Sequence, residues 1–475
     1  MVGTNGDFPG LDPAAVAVDV TNSGIGSAIY EELVDGSIGA APKPGLASAY
    51  TEAPDRKSWT LTIRDGVTFH DGTKLDATAV KLNLERQRKS PVNALSMALI
   101  KSIDVVDPLT VRLILDKPYS AMPYLLAGNA GIMISPKAIA EHSDILNRAP
   151  TDAGTGPYVL KDWVPGDHLT VVRNPNYWGA PKPRLDQIMF RPILDEGARY
   201  AALQAGDVQS IVTNLPATTA RARKDGFNVV DPPTAGYLVI YFNNTKPPLN
   251  DVRIRRAAAL AINQQLLSTT FDIPSENAGF SLWPSGDPWY SAAGDIPTFD
   301  KNAAHRLVND SIRDTGLDAS FTLLLANGGA TSVDYARLVA KFWQDAGIDV
   351  KVNLVAEPTQ VIGAVATGQY EAAVFLVGLA KDPDPTAYPV LSSASPLNFS
   401  RYKNPEMDAA LETGRTSGDP VVRKAAYAKV QELFRRDVPF IIGQPGSSHV
   451  ISTKAVCGIT GATVFTSQTA GLGTC

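Results

Sequence analysis

The sequence predicts an α/β protein of two lobes, one of them carrying an extra β-rich subdomain, and three observations predict it. Strand-like and helix-like stretches alternate along 475 residues without an internal repeat, a length with room for more than one core. Between about residues 35 and 155 that alternation gives way to paired strand patterns. The chain also passes twice through a link rich in breakers, at Asp231-Pro232-Pro233 and at Gly443–Ser448, "GQPGSS". Two crossings between two lobes imply a two-strand hinge. Residues 1–34, 156–234 and 447–475 are accordingly assigned to the first lobe, 35–155 to the subdomain inserted in it, and 235–446 to the second lobe.

In the β-rich block, Ser58–Arg64 alternates Trp59, Leu61 and Ile63 with polar partners and turns at Asp65-Gly66. Val67 to His70 follows, with a second turn at Asp71-Gly72, which is a hairpin signature. Lys101–Leu115 repeats it: Ile103 and Val105, a turn at Asp107-Pro108, then Val111, Leu113 and Leu115. Elsewhere the pattern is helix, glycine, strand. Tyr200–Val212 breaks at Gly206, and Tyr335–Ala346 stops at Gly347 before the alternation Ile348, Val350, Val352, Leu354. Tyr237–Asn243 and Phe321–Ala326 read as strands and Ile25–Leu33 as a helix. In 374–391, "VFLVGLAKDPDPTAYPVL", an apolar run ends in Lys381-Asp382-Pro383-Asp384-Pro385, whose prolines argue against a regular helix and for a stiff charged loop at a strand end.

Composition excludes several classes. Apolar residues make up 44% and charged residues 19%, with a net charge of −5, so no concentrated basic patch for nucleic acid is expected. The basic runs at Arg221–Lys224 and Arg253–Arg256 read as solvated helix faces. No apolar stretch is long enough to span a membrane. There is no nucleophile elbow, zincin motif, Cys-x-x-Cys or Gly-Lys phosphate loop, and five histidines are scattered without ligand spacing; no enzyme activity, metal or cofactor is expected. Asp382 and Asp384, two residues apart on one loop, are poorly arranged for a glycosidase pair. Cys457 and Cys475, the two cysteines, could close the tail as a disulfide and so hint at an extracytoplasmic protein; two unrelated thiols are the alternative.

A series of blocks in order carries a family resemblance. After Leu11-Asp12-Pro13 and Ile29-Tyr30-Glu31-Glu32-Leu33 come "WTLTIRDGVTFHDGTKLDATAV" (59–80) and "GTGPYVLKDWVPGDHLTVVRNPNYWG" (154–179). Then follow "ALQAGDVQ" (202–209), "YFNNTKPPLNDVRIRRAAALAIN" (241–263) and "NFSRYKNPEMDAAL" (398–411). The chain resembles the solute-binding proteins of ABC importers, in the dipeptide/oligopeptide/nickel-binding group (family 5, cluster C). The resemblance implies a two-lobed periplasmic-binding-protein fold, type II-like. It also implies a small polar solute, most simply a short peptide, enclosed between lobes and delivered to a membrane permease. Oligosaccharides, opines and metal chelates are the alternative ligands, and an envelope regulator on the same fold is a different class. The implied location is extracytoplasmic, periplasmic or lipid-anchored, and a monomer is expected.

In peptide-binding members that look like this chain, an Asp in a pattern like Trp-x-x-Asp-x-x-Asp-Pro pairs with the ligand's ammonium. Aligned on Asp384-Pro385, that Asp falls on Lys381 and the Trp on Gly378, whereas a one-residue slip puts the acid on Asp382. The first register favours a carboxylate, phosphate or hydroxyl in the ligand; the second favours an ammonium and is the preferred reading. The expected ligand-facing set is Thr21, Asn22, Ser23, Trp283, Trp289, Asn327, Gly328, Gly378, Leu379, Ala380, Lys381, Asp382, Asn398 and Phe399. Trp59, Trp163 and Trp178 are expected to be architectural.

Overall fold

Val2–Thr4 lies between Gln187–Pro192 and Ser210–Thr213 and runs parallel to both, organising a seven-stranded sheet. The sheet continues antiparallel through His168–Arg173 to Tyr158–Val164 on one side. On the other side it continues through His449–Ser452 to Asn228–Val230, so a strand from the end of the chain is held between two from its middle. A separate antiparallel sheet has the order Ala47–Glu52, Ser58–Ile63, Thr110–Leu115, Ile100–Asp107, with the helix Ala77–Gln87 on its face. These pieces form one compact unit, Met1–Ala235 with Ser447–Cys475; Gly236–Gly446 forms a second. The structure, a computed structural model, describes residues 1–16, 23–36, 41–149, 152–231, 236–271, 281–283, 286–292, 298–326, 330–356, 358–378, 382–445, 449–459 and 471–475.

Local chemistry explains many of the elements. Asp195 caps the helix Glu196–Ala205 through the Ala198 N–H, and Gly206 ends it at φ 81°. The turn at Asp107 joins Ile100–Asp107 to Thr110–Leu115 as a hairpin. The hairpin expected across Asp65-Gly66 does not form. Both edges of Ser58–Ile63 are taken by Ala47–Glu52 and Thr110–Leu115, and Val67–His70 is left with one bridge, Thr68 to Lys74. The helix expected over Ile25–Leu33 spans Ser23–Ile29. Cys457 and Cys475 are disulfide-bonded with their Cα atoms 5.3 Å apart, beside the pairing of Val456–Cys457 with Gly473–Thr474.

In the first unit a carboxylate is sealed into the core. Glu31 accepts from the Tyr177 hydroxyl at 2.9 Å and from Trp178 Nε1 at 2.6 Å. Burial pushes its carboxyl up to about 7, against the opposing pull of Trp178, Tyr177, Thr155 and the Arg64 charge. Trp59 donates through Nε1 to the Tyr119 carbonyl. The loop at Asp12 is fastened as firmly: Arg86 grips the carboxylate with both nitrogens, while Asn93 and Asn129 donate to the Pro13 carbonyl.

The second unit is built on a five-stranded sheet, in the order Asp349–Val355, Ser320–Ala326, Ala372–Gly378, Gly236–Phe242, Phe440–Pro445. The first three run parallel, joined through the helices Ala330–Asp345 and Pro358–Thr367; the last two alternate in direction. Trp343 is fully buried against Phe242 and Phe321 and donates through Nε1 to the Ala258 carbonyl. Gly347, at φ 86°, turns the chain out of Ala330–Asp345 into the edge strand. The basic run at Arg253–Arg256 is not a solvated face. Arg253 is tied to Asp251 and Asp314, and Arg255 is buried, donating to the carbonyls of Leu249, Asp437 and Val438.

Candidate functional site

Sheet direction singles out one end of the second unit. Ser320–Ala326, Asp349–Val355, Ala372–Gly378 and Phe440–Pro445 all finish there, and Gly236–Phe242 begins there, Gly236 opposite Gly378 and Tyr237 opposite Pro445. The chain therefore enters and leaves the unit at this end. Loops at the carboxyl ends of parallel strands are where α/β sheets take ligands, since backbone groups and short side chains there are not committed to the ladder. The segments holding Asn327, Gly328, Leu379, Ala380 and Lys381 follow directly on two of these strands, but those residues lie outside the described ones, as do Thr21 and Asn22. Ser23 is the first residue of the helix Ser23–Ile29, and Gly378 the last of its strand.

Asp382 opens a helix. Pro383–Leu391 is helical despite three prolines, which corrects the expectation of a loop. Pro383 and Pro385 sit in the first turn, where the backbone N–H has no partner to lose, and only Pro389 lies deeper. Asp382 is its N-cap, accepting from the Asp384 N–H at 3.0 Å.

The Asp382 carboxylate, expected to meet a ligand, is occupied within the unit. Arg423 holds it in a two-pronged pair, at 2.9 and 2.8 Å, with both side chains buried. Burial alone would pull the Arg423 guanidinium down, but the hydrogen bonds and charge of Asp382 outweigh it and hold it above its ordinary value. The next carboxylate is committed as well: Asp384 lies 3.7 Å from Arg415, whose guanidinium stacks over Tyr388 at 3.9 Å. Helix Pro420–Asp437 carries the aromatic side of this cluster. Tyr427, four residues after Arg423, meets Trp283 and Trp289 edge-on at 5.9 and 5.5 Å. Arg423 lies over the Trp289 ring at 5.1 Å, and Gln431 binds the Trp289 carbonyl. Both tryptophans are thereby packed into the unit, Trp283 fully. Their partners Arg415, Arg423 and Tyr427 escaped the sequence reading, because a pairing across 41 residues leaves no local pattern.

Asn398 and Phe399 are not brought to this end. Asn398 spends its amide on the carbonyls of Ser392 and Tyr402 and accepts from Ser400, and it borders Asn243 and Gly368, at the opposite end of the sheet. Phe399 packs edge-on against Tyr241 and Phe375.

Comparisons with known proteins agree with this architecture. The sequence model described as bacterial extracellular solute-binding proteins, family 5 Middle, matches residues 41–398. The chain is 28% identical over 455 residues to the glutathione-binding protein GsiB of Salmonella paratyphi A, covering 93% of this chain and 88% of that one. It is 29% identical over 461 residues to the probable D,D-dipeptide-binding periplasmic protein DdpA of Escherichia coli K12, covering 93% and 87%. The periplasmic binding protein DppA of Helicobacter pylori, solved with the peptide STSA, superposes with a TM-score of 0.87 at 23% identity, over 100% of this chain and 97% of that one.

Proposed function

The chain belongs to the bacterial extracellular solute-binding proteins of family 5, and from that premise we propose that it captures a short peptide-like solute carrying a carboxylate, with Lys381 as its charge partner. The observation that carries this is the commitment of both nearby acids: Asp382 is buried on Arg423, and Asp384 on Arg415. Between Gly378 and Asp384 the one remaining formal charge is Lys381. With the helix beginning at Pro383, the family-like Asp-Pro falls on Asp382-Pro383, and the position of an ammonium-binding acid falls on Leu379. A ligand's ammonium held at this loop would find neither of its acids free, whereas a carboxylate would find Lys381. Relatives named for glutathione and D,D-dipeptides support the peptide class. Delivery to an ABC permease, closure about the two crossings and a location outside the cytoplasm belong to the same reading, and the disulfide agrees with that compartment.

A thermal-unfolding series tests it with glutathione, dipeptides, their N-acetylated forms and their C-terminal amides. Free ligand at about 100 times its dissociation constant adds roughly 2.7 kcal/mol, a shift of a few degrees. The shift is expected to survive acetylation, to disappear on amidation, and to weaken in Lys381→Gln. Asp382→Ala should instead lower the ligand-free midpoint, because it strands Arg423. A shift lost on acetylation and kept on amidation would return the role to an inward acid and sink the reading.

A further inference from the structure

At the opposite end of the second unit's sheet is an open pocket of about 440 Å³ lined mainly by polar residues. Its walls come from three segments: Asn243 and Thr245, Thr367 and Gly368, and the stretch from Ser393 to Lys403. The lining contains two cations, Arg401 and Lys403, and no carboxylate. Neither cation has an ion pair among the described residues, in a chain where acids outnumber bases by 48 to 43. The nearby acids are spent elsewhere. Asp408 takes the Ser393 N–H at 2.8 Å, Asp437 takes Tyr402 and Asn404, and Glu371 takes the Thr322 N–H.

The walls are fixed before any ligand arrives. Asn243 donates to the carbonyls of Gly368 and Tyr370 at 3.1 and 3.0 Å, and Asn398 ties Ser392 to Tyr402. Arg401 itself stands at φ 56°, a left-handed backbone that glycine adopts freely and an arginine does not. Its Nη2 donates to the carbonyls of Val365 and Ala366, at the end of helix Pro358–Thr367, and its Nε is buried without an acceptor among the described residues. A side chain kept at such local cost, beside a polar cavity with surplus positive charge, is what an anion site needs.

We infer that this cavity is a second binding site, separate from the solute site and selective for a small oxyanion, with Arg401 and Lys403 supplying charge and Ser393 and Ser395 supplying hydroxyls. The test is calorimetric titration of the full chain with inorganic phosphate and with citrate at low ionic strength. It compares the parent with Arg401→Gly and Lys403→Gln. Arg401→Gly suits the backbone but gives up the bonds to Val365 and Ala366, so Lys403→Gln, at an exposed residue with no hydrogen bond or ion pair among the described residues, is the variant whose thermal midpoint should stay at the parent's. One-to-one binding of either anion is expected, weakened about tenfold or more in each variant, while the glutathione-induced thermal shift is unchanged in both. No saturable binding of either anion, or binding undiminished in both variants, overturns the inference. Anion binding without any response to peptide-like ligands would leave this site standing and remove the proposed solute instead.

Discussion

Two buried carboxylates, Asp382 and Glu31, are held by opposite means. Asp382 is answered by a full positive charge, and the pair balances in place. Glu31 is answered mainly by neutral donors, a phenol and an indole, and burial dominates: its carboxyl is pushed up to about 7 from an ordinary value of 4.5. The sign of the consequence follows. The folded state takes the proton more readily than the unfolded chain between those values, so this group's contribution is complete below about 4.5 and is lost as pH rises through about 7. A difference of this size corresponds to roughly 3 kcal/mol. The first unit should therefore melt at lower temperature at pH 8 than at pH 5, and Glu31→Gln should flatten that dependence. A Glu31→Gln protein with the parent's slope, measured by scanning calorimetry, would assign the effect to other groups.

At the scale of elements, glycines were legible because they act over a few residues. Gly206 and Gly347 end helices where the sequence places them, whereas the cap at Asn404-Pro405, with its proline at the first helical position, is not singled out there and emerges from the structure. Asn404 accepts from the N–H groups of Glu406 and Met407, and its amide also reaches Tyr402 and Asp437. Asn404→Ala should cost about 1–2 kcal/mol in denaturant unfolding, while Asn404→Asp should keep the cap and lose the amide bonds. What local pattern does not carry is choice of partner. Ser58–Ile63 alternates correctly for a strand, yet its neighbours are the strands around 50 and 112 rather than the residues just beyond the turn. Prolines were misread for a related reason, since two of the three fall in the first turn, where a helix tolerates them, and only Pro389 lies inside it. Of the candidate site, the strand ends leading to residues 327 and 379 could be read from alternation and breakers. The fates of Asp382 and Asn398 could not, because each is decided by groups that only the fold brings near.

For the whole molecule, the boundaries at 235–236 and 446–447 make the second unit one continuous stretch with its own core, centred on Tyr241, Phe242, Trp343 and Phe434. Residues 236–446 expressed alone should melt cooperatively by circular dichroism, and a featureless melt would show that this core depends on the rest of the chain. The first unit has no such independence. Its sheet has a gap between Ser210–Thr213 and Asn228–Val230 until His449–Ser452 fills it. On a ribosome, or emerging through a translocation pore, that gap persists while all of residues 236–446 are made. The exposed edges of both flanking strands must wait through that interval, and an open edge is where a foreign strand can add. The share of this chain that reaches its native state should therefore depend on the order of emergence and on holdases as well as on final stability.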